Sequence, residues 1–354
     1  MNQELAEKLL SKVMNWGLEE SKENVRYLED FAELKYDQYQ QFEAGSRFIE
    51  NLALWLNQFE TQEEKNYAYN FICTKLVFIS QEEMYQLIHT LYLDLILPKM
   101  KDQVLGLKRN IIKENMPDRD VLKTVRRQSL FMGLSDGARL DIFRRSAKEL
   151  SNEQVCINHE LSSSKITDIF NSMRADTKEF YETYKCFNNY KNSLFGLYLL
   201  DDFSGSGISY LRKENGEWKG KIHKVLRALK DNIDLNTEIH VILYLATNES
   251  KEHISSYLKQ YEADKDYQLN IHVMQELHTC EVSPAFEKLL KKYTGSSFID
   301  EHWRKGKYDK YYLGFNECSL PVVIYHNTPN NSFPIIWEQE NPLFERVSRH
   351  KEMK

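Results

Sequence analysis

The chain has 354 residues, a formal net charge of −6 and 42% apolar residues, a length that implies two domains and a composition that excludes a disordered chain. The mild acidity excludes wholesale coating of a nucleic acid, although a local basic patch would not show in the total. Five widely spaced cysteines, with no C-x-x-C pair and no Cys/His cluster, predict reduced thiols in a cytoplasmic protein rather than a zinc site or a disulfide framework.

Residues 1–12 are charged and amphipathic, without the apolar core of a signal peptide, and no apolar stretch is long enough to span a membrane. From residue 2 to 115 the pattern is helical. Leu5, Leu9, Leu10, Val13 and Trp16 form one apolar stripe. Phe48, Leu52, Trp55, Leu56 and Phe59 form a second, and Tyr85, Ile88, Leu91, Tyr92 and Leu95 a third. Recurrence at three and four residues marks amphipathic helices. Four or five helices, packed as a bundle or array, are expected. Basic residues gather between Lys99 and Arg127 and could track a nucleic-acid backbone or a partner's acidic face, but interspersed acids favour a solvated helix face. Pro117 restricts the residue before it and tends to stop a helix. It marks the expected boundary between an all-α domain, 1–117, and a second domain, 118–354.

Beyond that point the texture changes. Apolar runs at 130–134, 154–157, 194–200, 239–246 and 267–273 alternate with amphipathic stretches at 139–150, 166–184, 219–232 and 251–261. The alternation predicts right-handed βαβ units, hence an α/β fold with a parallel sheet and helices on both faces. Residues 311–337 are expected to add two strands around a turn at 327–332.

Chemistry concentrates at Leu197-Tyr198-Leu199-Leu200-Asp201-Asp202-Phe203-Ser204-Gly205-Ser206-Gly207-Ile208-Ser209. An apolar strand ends in two adjacent carboxylates, and a tight loop of small residues follows. Backbone N–H groups of such a loop can point at a phosphate, with the Ser206 and Ser209 hydroxyls as further donors. Asp201 and Asp202 can accept from the 2- and 3-hydroxyls of a ribose. Ligands of open α/β sheets bind at that end of the strands. A Walker A loop would need a lysine here, and a Rossmann fingerprint would need glycine where Tyr210 stands. A plain glycine turn explains the glycines but not two acids aimed at one place.

This segment resembles the signature of type I phosphoribosyltransferases: four apolar residues, two acids, two variable residues and a short Thr/Ser-Gly loop. The resemblance implies a type I phosphoribosyltransferase-like sheet preceded by the helical domain. It implies that Asp201 and Asp202 act on the ribose of phosphoribosyl pyrophosphate and, indirectly, on its Mg²⁺. Ser204, Gly205, Ser206, Gly207, Ile208 and Ser209 would hold the 5-phosphate. One departure stands out. The purine-specific branch has an aspartate as general base at the place of Gly205, which argues against hypoxanthine or guanine salvage.

Phe131-Met132-Gly133-Leu134-Ser135-Asp136-Gly137-Ala138 resembles the pyrophosphate-binding loop after the first core strand of such enzymes. Ser135, Asp136, Gly137 and Arg139 would serve it, and an ordinary Asp-Gly turn is the competing reading. Ser162-Ser163-Ser164-Lys165 occupies the place of the family's mobile loop. Lys165 would there neutralise departing pyrophosphate, against a simple solvated lysine.

The tail, from Leu313-Gly314-Phe315 through Leu320–Trp337, resembles a divergent phosphoribosyltransferase-like family of bacterial conflict systems, including anti-phage retron cassettes. That likeness runs from Ser129 to Trp337. Tyr325, Asn327 and Trp337 are the candidates for contacting a base or acceptor, and burial in a core is the competing reading. The resemblance implies an effector that transfers a phosphoribosyl group. A non-catalytic nucleotide-sensing module and a nucleosidase-like hydrolase are the alternatives. Residues 1–117 would engage a protein or nucleic acid of the same cassette.

Overall fold

A computed structural model describes residues 3–111, 118–156, 162–301 and 303–347. Its helices are α1 (Gln3–Met14), α2 (Leu18–Leu34), α3 (Phe48–Asn57), α4 (Gln62–Thr74), α5 (Gln81–Leu91), α6 (Leu97–Ile111), α7 (Asp118–Arg127), α8 (Leu140–Ser146), α9 (Ser163–Thr183), α10 (Lys221–Ala228), α11 (Asn248–Lys265) and α12 (Pro284–Tyr293). Its strands are β1 (Val77–Ile79), β2 (Ser129–Gly133), β3 (Val155–Cys156), β4 (Gly196–Ser204), β5 (Arg212–Glu214), β6 (Glu217–Lys219), β7 (Glu238–Thr247), β8 (Gln268–Leu277) and β9 (Val322–Ile324).

The chain divides into two compact units, residues 1–84 with 278–354, and residues 85–277. The expected boundary at residue 117 does not coincide with this division, and the residues around it, 112–117, lie outside the described residues. The physical reason is that the first helices are completed by the tail. Buried Trp55 donates its Nε1–H to the Ile335 carbonyl at 2.8 Å. The Phe344 ring stacks on Phe48 with centroids 5.7 Å apart. β1 pairs in parallel with β9, Phe78 opposite Val323. Residues 1–115 are therefore not purely helical. In the tail, a second strand gives way to tight turns at Tyr311–Leu313, Phe315–Glu317 and Pro334–Ile336. Pro334 lacks a donor, and Asn316, Glu317 and Ser319 take positive φ, which breaks any ladder there.

The second unit is built on a five-stranded parallel sheet of order β3-β2-β4-β7-β8. β2 and β4 are buried almost throughout, as parallel strands covered on both faces must be. Leu130, Met132, Leu197 and Leu199 face a core shared with Ile169 and Phe170 of α9, Val225 of α10 and Ile254 of α11. Alternate residues point the other way, where Phe131 stacks on Tyr198 at 4.9 Å and meets Phe143 of α8 at 5.3 Å. The chain leaves β2 toward β3 on one side, and leaves β4 toward β7 on the other. The connections diverge at the carboxyl ends of these two neighbours, and that is where a crevice forms in open α/β sheets.

Candidate functional site

The two sequence segments singled out for phosphate chemistry meet at that crevice. β2 runs into the turn Asp136–Ala138, and β4 carries Asp201 and Asp202 in its last turn of pleat. Ser135 donates its hydroxyl to Asp201 Oδ1 and also lies 3.4 Å from Asp202 Oδ1. The Asp202 carboxylate rests against Gly137, where a methyl group would come within 2.3 Å of Oδ2. Glycine at 137 is thus required by close approach. The turn is held from beneath by Tyr244 of β7, whose hydroxyl donates to the Ala138 carbonyl at 2.7 Å. Arg139, with φ +46°, closes the turn and caps α8.

The acid pair is not symmetric. Asp201 is fully buried, and both its oxygens are engaged. Oδ1 accepts from Ser135 and from the Asp202 amide at 3.2 Å. Oδ2 accepts from the Tyr210 hydroxyl at 2.7 Å and from Lys221 Nζ at 2.6 Å. Burial pushes the Asp201 carboxyl up from its ordinary value; Lys221 opposes this, and Asp202 adds to it. Asp202 is half-buried. Asp201 is thus fully engaged by the protein's own donors, and Asp202 is the partly exposed member of the pair.

The Ser/Gly loop is anchored by the start of α11. Ser204 shares a 2.6 Å hydroxyl contact with Ser250. Thr247 donates to the Gly205 carbonyl at 2.7 Å. Gly207 has φ +76°, and a methyl there would sit 2.9 Å from the Ser250 carbonyl. Ser206 is buried, Ile208 half-buried and Ser209 exposed. Among the described residues, no backbone carbonyl accepts from the amides of Ser206, Gly207, Ile208 or Ser209. A loop of inward amides needs such donors to hold a phosphate.

The loop does not cap the next helix directly. The β5–β6 hairpin intervenes. The amides of Lys221 and Ile222 then donate back to the Ser209 and Tyr210 carbonyls at 3.1 and 3.0 Å. The start of α10 is thus fastened to the loop, which places a lysine beside it.

Other candidates fall elsewhere. Lys165 is exposed on the first turn of α9, with its amide donated to Ser162; the preceding loop, 157–161, lies outside the described residues. Asp136 is exposed at the turn. Tyr325, Asn327 and Trp337 belong to the first unit. Tyr325 is fully buried. Trp337 donates Nε1–H to the Ser332 carbonyl at 3.2 Å and lies under Arg346. Asn327 clips the Val347 backbone with two bonds of 3.1 Å. These three residues pack or hold turns within the first unit. Tyr210, Lys221 and Tyr244 carry the site without being legible as site residues.

Sheet order, divergent connections and a Ser/Gly loop leaving an acidic strand end together define a phosphoribosyltransferase-like α/β protein. The sequence model of the PRTase-CE family matches residues 52–346, and the chain belongs to that phosphoribosyltransferase-like effector family. No curated protein and no solved structure matches the chain at a significant level. Among the described residues, no helix is long and apolar enough to cross a membrane.

Proposed function

We propose that the protein binds phosphoribosyl pyrophosphate with Mg²⁺ at the carboxyl ends of β2 and β4. It transfers the phosphoribosyl group with release of pyrophosphate, as a cytoplasmic effector of bacterial anti-phage defence. The observation that carries this reading is the meeting of the 135–137 turn, Asp202 and the 204–209 loop at one crevice. In this arrangement Asp202 accepts from the ribose hydroxyls, the amides of 206–209 receive the 5-phosphate, and the 135–137 turn lies beside the pyrophosphate. Asp201 fixes the turn and the loop to each other through Ser135, Tyr210 and Lys221.

An acceptor nucleophile attacks the anomeric carbon, and the bond to the pyrophosphate oxygen breaks with its electron pair. Fixed donors stabilise the departing charge. Among the described residues, no three His, Cys, Asp or Glu side chains converge as a metal cage. Mg²⁺ would be held mainly by ligand oxygens and water, with Asp202 acting on it indirectly through the ribose, a mode usual for that ion. When bound it supplies charge neutralisation at the leaving group.

A second reading is a sugar-phosphate-sensing module without turnover. It is favoured by Gly205, which offers no base, and by the enclosure of Asp201. A third is a nucleosidase-like hydrolase with water as nucleophile. Incubation with phosphoribosyl pyrophosphate, Mg²⁺ and a panel of bases, and separately with nucleosides alone, separates the three. Pyrophosphate release supports transfer, binding without release supports the module, and free base from nucleosides supports the hydrolase.

A further inference from the structure

Within the second unit, a groove of about 400 Å³ lies toward the amino ends of β7 and β8, beside α6. Its floor is an unusual sheet face. Residues two apart on a strand share a face, and His240 pairs with Asn270 while Ile242 pairs with His272. Glu238, His240, Asn270 and His272 therefore share one face, while Ile239, Val241 and Leu269 enter the core on the other. A polar face on a central strand is costly unless its groups have partners.

His240 is only 3% exposed and stacks on Tyr198 at 4.9 Å. Its Nδ1 lies 3.1 Å from His272 Nε2. Among the described residues its Nε2 has no hydrogen-bond partner, although Glu238 Oε2 is 3.4 Å away. Electrostatics selects the tautomers. A proton on His240 Nε2 faces the Glu238 carboxylate, whereas a lone pair there would repel it. His240 Nδ1 then accepts from His272 Nε2–H, which leaves His272 Nδ1 as an acceptor. The groove thus carries a fixed acceptor beside the exposed Asn270 amide. Tyr190, stacked on Phe195 at 5.1 Å and 15°, adds an aromatic platform.

The charges decide what fits. Lys99 is set against Asp102 and Glu238, so the lining is net negative. Burial, then His240 and Lys99, hold His272 down to about 4, so it is neutral at physiological pH. Phosphates and other anions are disfavoured. The volume is at the small end of ligand sites, about 300–1,000 Å³. We propose that this groove binds an uncharged nucleoside, its base stacked on Tyr190 and its polar edge hydrogen-bonded to Asn270 and His272.

Tyr198 pairs with His240, and Asp201 pairs with Leu243. The groove therefore lies three residues, roughly 10 Å along the strands, toward the opposite end from the acid pair. It is a site for an effector rather than for the acceptor, and it does not depend on the phosphoribosyl pyrophosphate reading.

The test is calorimetry and ligand-observed NMR of the full chain with adenosine, guanosine, cytidine and uridine at up to millimolar concentration. The 5′-monophosphate of each is the anionic control, titrated into Asp202→Asn so that the crevice does not contribute. At least one nucleoside should bind, and its phosphate should bind at least tenfold more weakly. Asn270→Leu and His272→Phe, checked for folding by thermal melting, should each weaken nucleoside binding at least tenfold, and Asp202→Asn should leave it unchanged. Absence of binding by any nucleoside, indifference to both groove variants, or loss in Asp202→Asn would overturn the assignment.

Discussion

Asp201 and Lys221 form the site's most consequential pair. The carboxylate is fully buried, and the lysine side chain is 27% exposed. Removing one partner of a buried pair leaves an uncompensated charge, at a cost of about 3–5 kcal/mol, and the partial exposure places Lys221→Met near the lower end. The penalty is pH-dependent. Burial raises the folded-state pKa of Asp201 above its unfolded value, so its contribution to stability is full below the unfolded value and is lost as pH rises through the folded one. Without Lys221 that loss deepens. Urea denaturation should therefore show a large Lys221→Met deficit at neutral pH that shrinks toward about pH 4; a pH-independent deficit would contradict the pair's role. Gly137→Ala makes a different prediction. Its methyl group would displace the Asp202 carboxylate. Stability should change by about 1 kcal/mol or less, while affinity for phosphoribosyl pyrophosphate falls at least tenfold in titration calorimetry.

The strand that ends in Asp201-Asp202 is legible in the sequence because the apolar run Leu197–Leu200 meets two acids directly. Neither an amphipathic helix nor a solvated loop produces that pattern. The glycines at 205 and 207 mark the loop equally well. What is not legible depends on contacts distant in sequence. Lys221 is twenty residues beyond Asp201, across a hairpin whose insertion moves it off any fixed spacing. Tyr210 reads as an apolar residue and acts through its hydroxyl. Tyr325 and Trp337 look like stacking platforms in sequence, and only burial shows them to be core. β1 is three residues long and pairs with β9. That pairing yields an element-scale prediction. A fragment of residues 1–118 lacks β9, Ile335 and Phe344, so it should be protease-sensitive and lose its cooperative thermal transition. Phe344→Ala in the full chain should cost about 3–5 kcal/mol, measured by urea denaturation. A cooperatively folded 1–118 fragment would contradict this division.

At the scale of the molecule, the family match at 52–346 runs through both compact units. The tail is thus part of what defines the family as well as what completes the first unit. The sheet unit carries the crevice, which we propose holds phosphoribosyl pyrophosphate through Asp202 and the 204–209 loop. The most direct measurement is isothermal titration of the full chain with phosphoribosyl pyrophosphate and Mg²⁺, alongside Asp202→Asn. Loss of charge-assisted hydrogen bonds worth about 1.5–3 kcal/mol each predicts binding by the native chain and affinity at least roughly tenfold weaker in the variant, with no loss of folding stability. Equal affinity in Asp202→Asn, or no binding by the native chain at millimolar ligand, would contradict the claim.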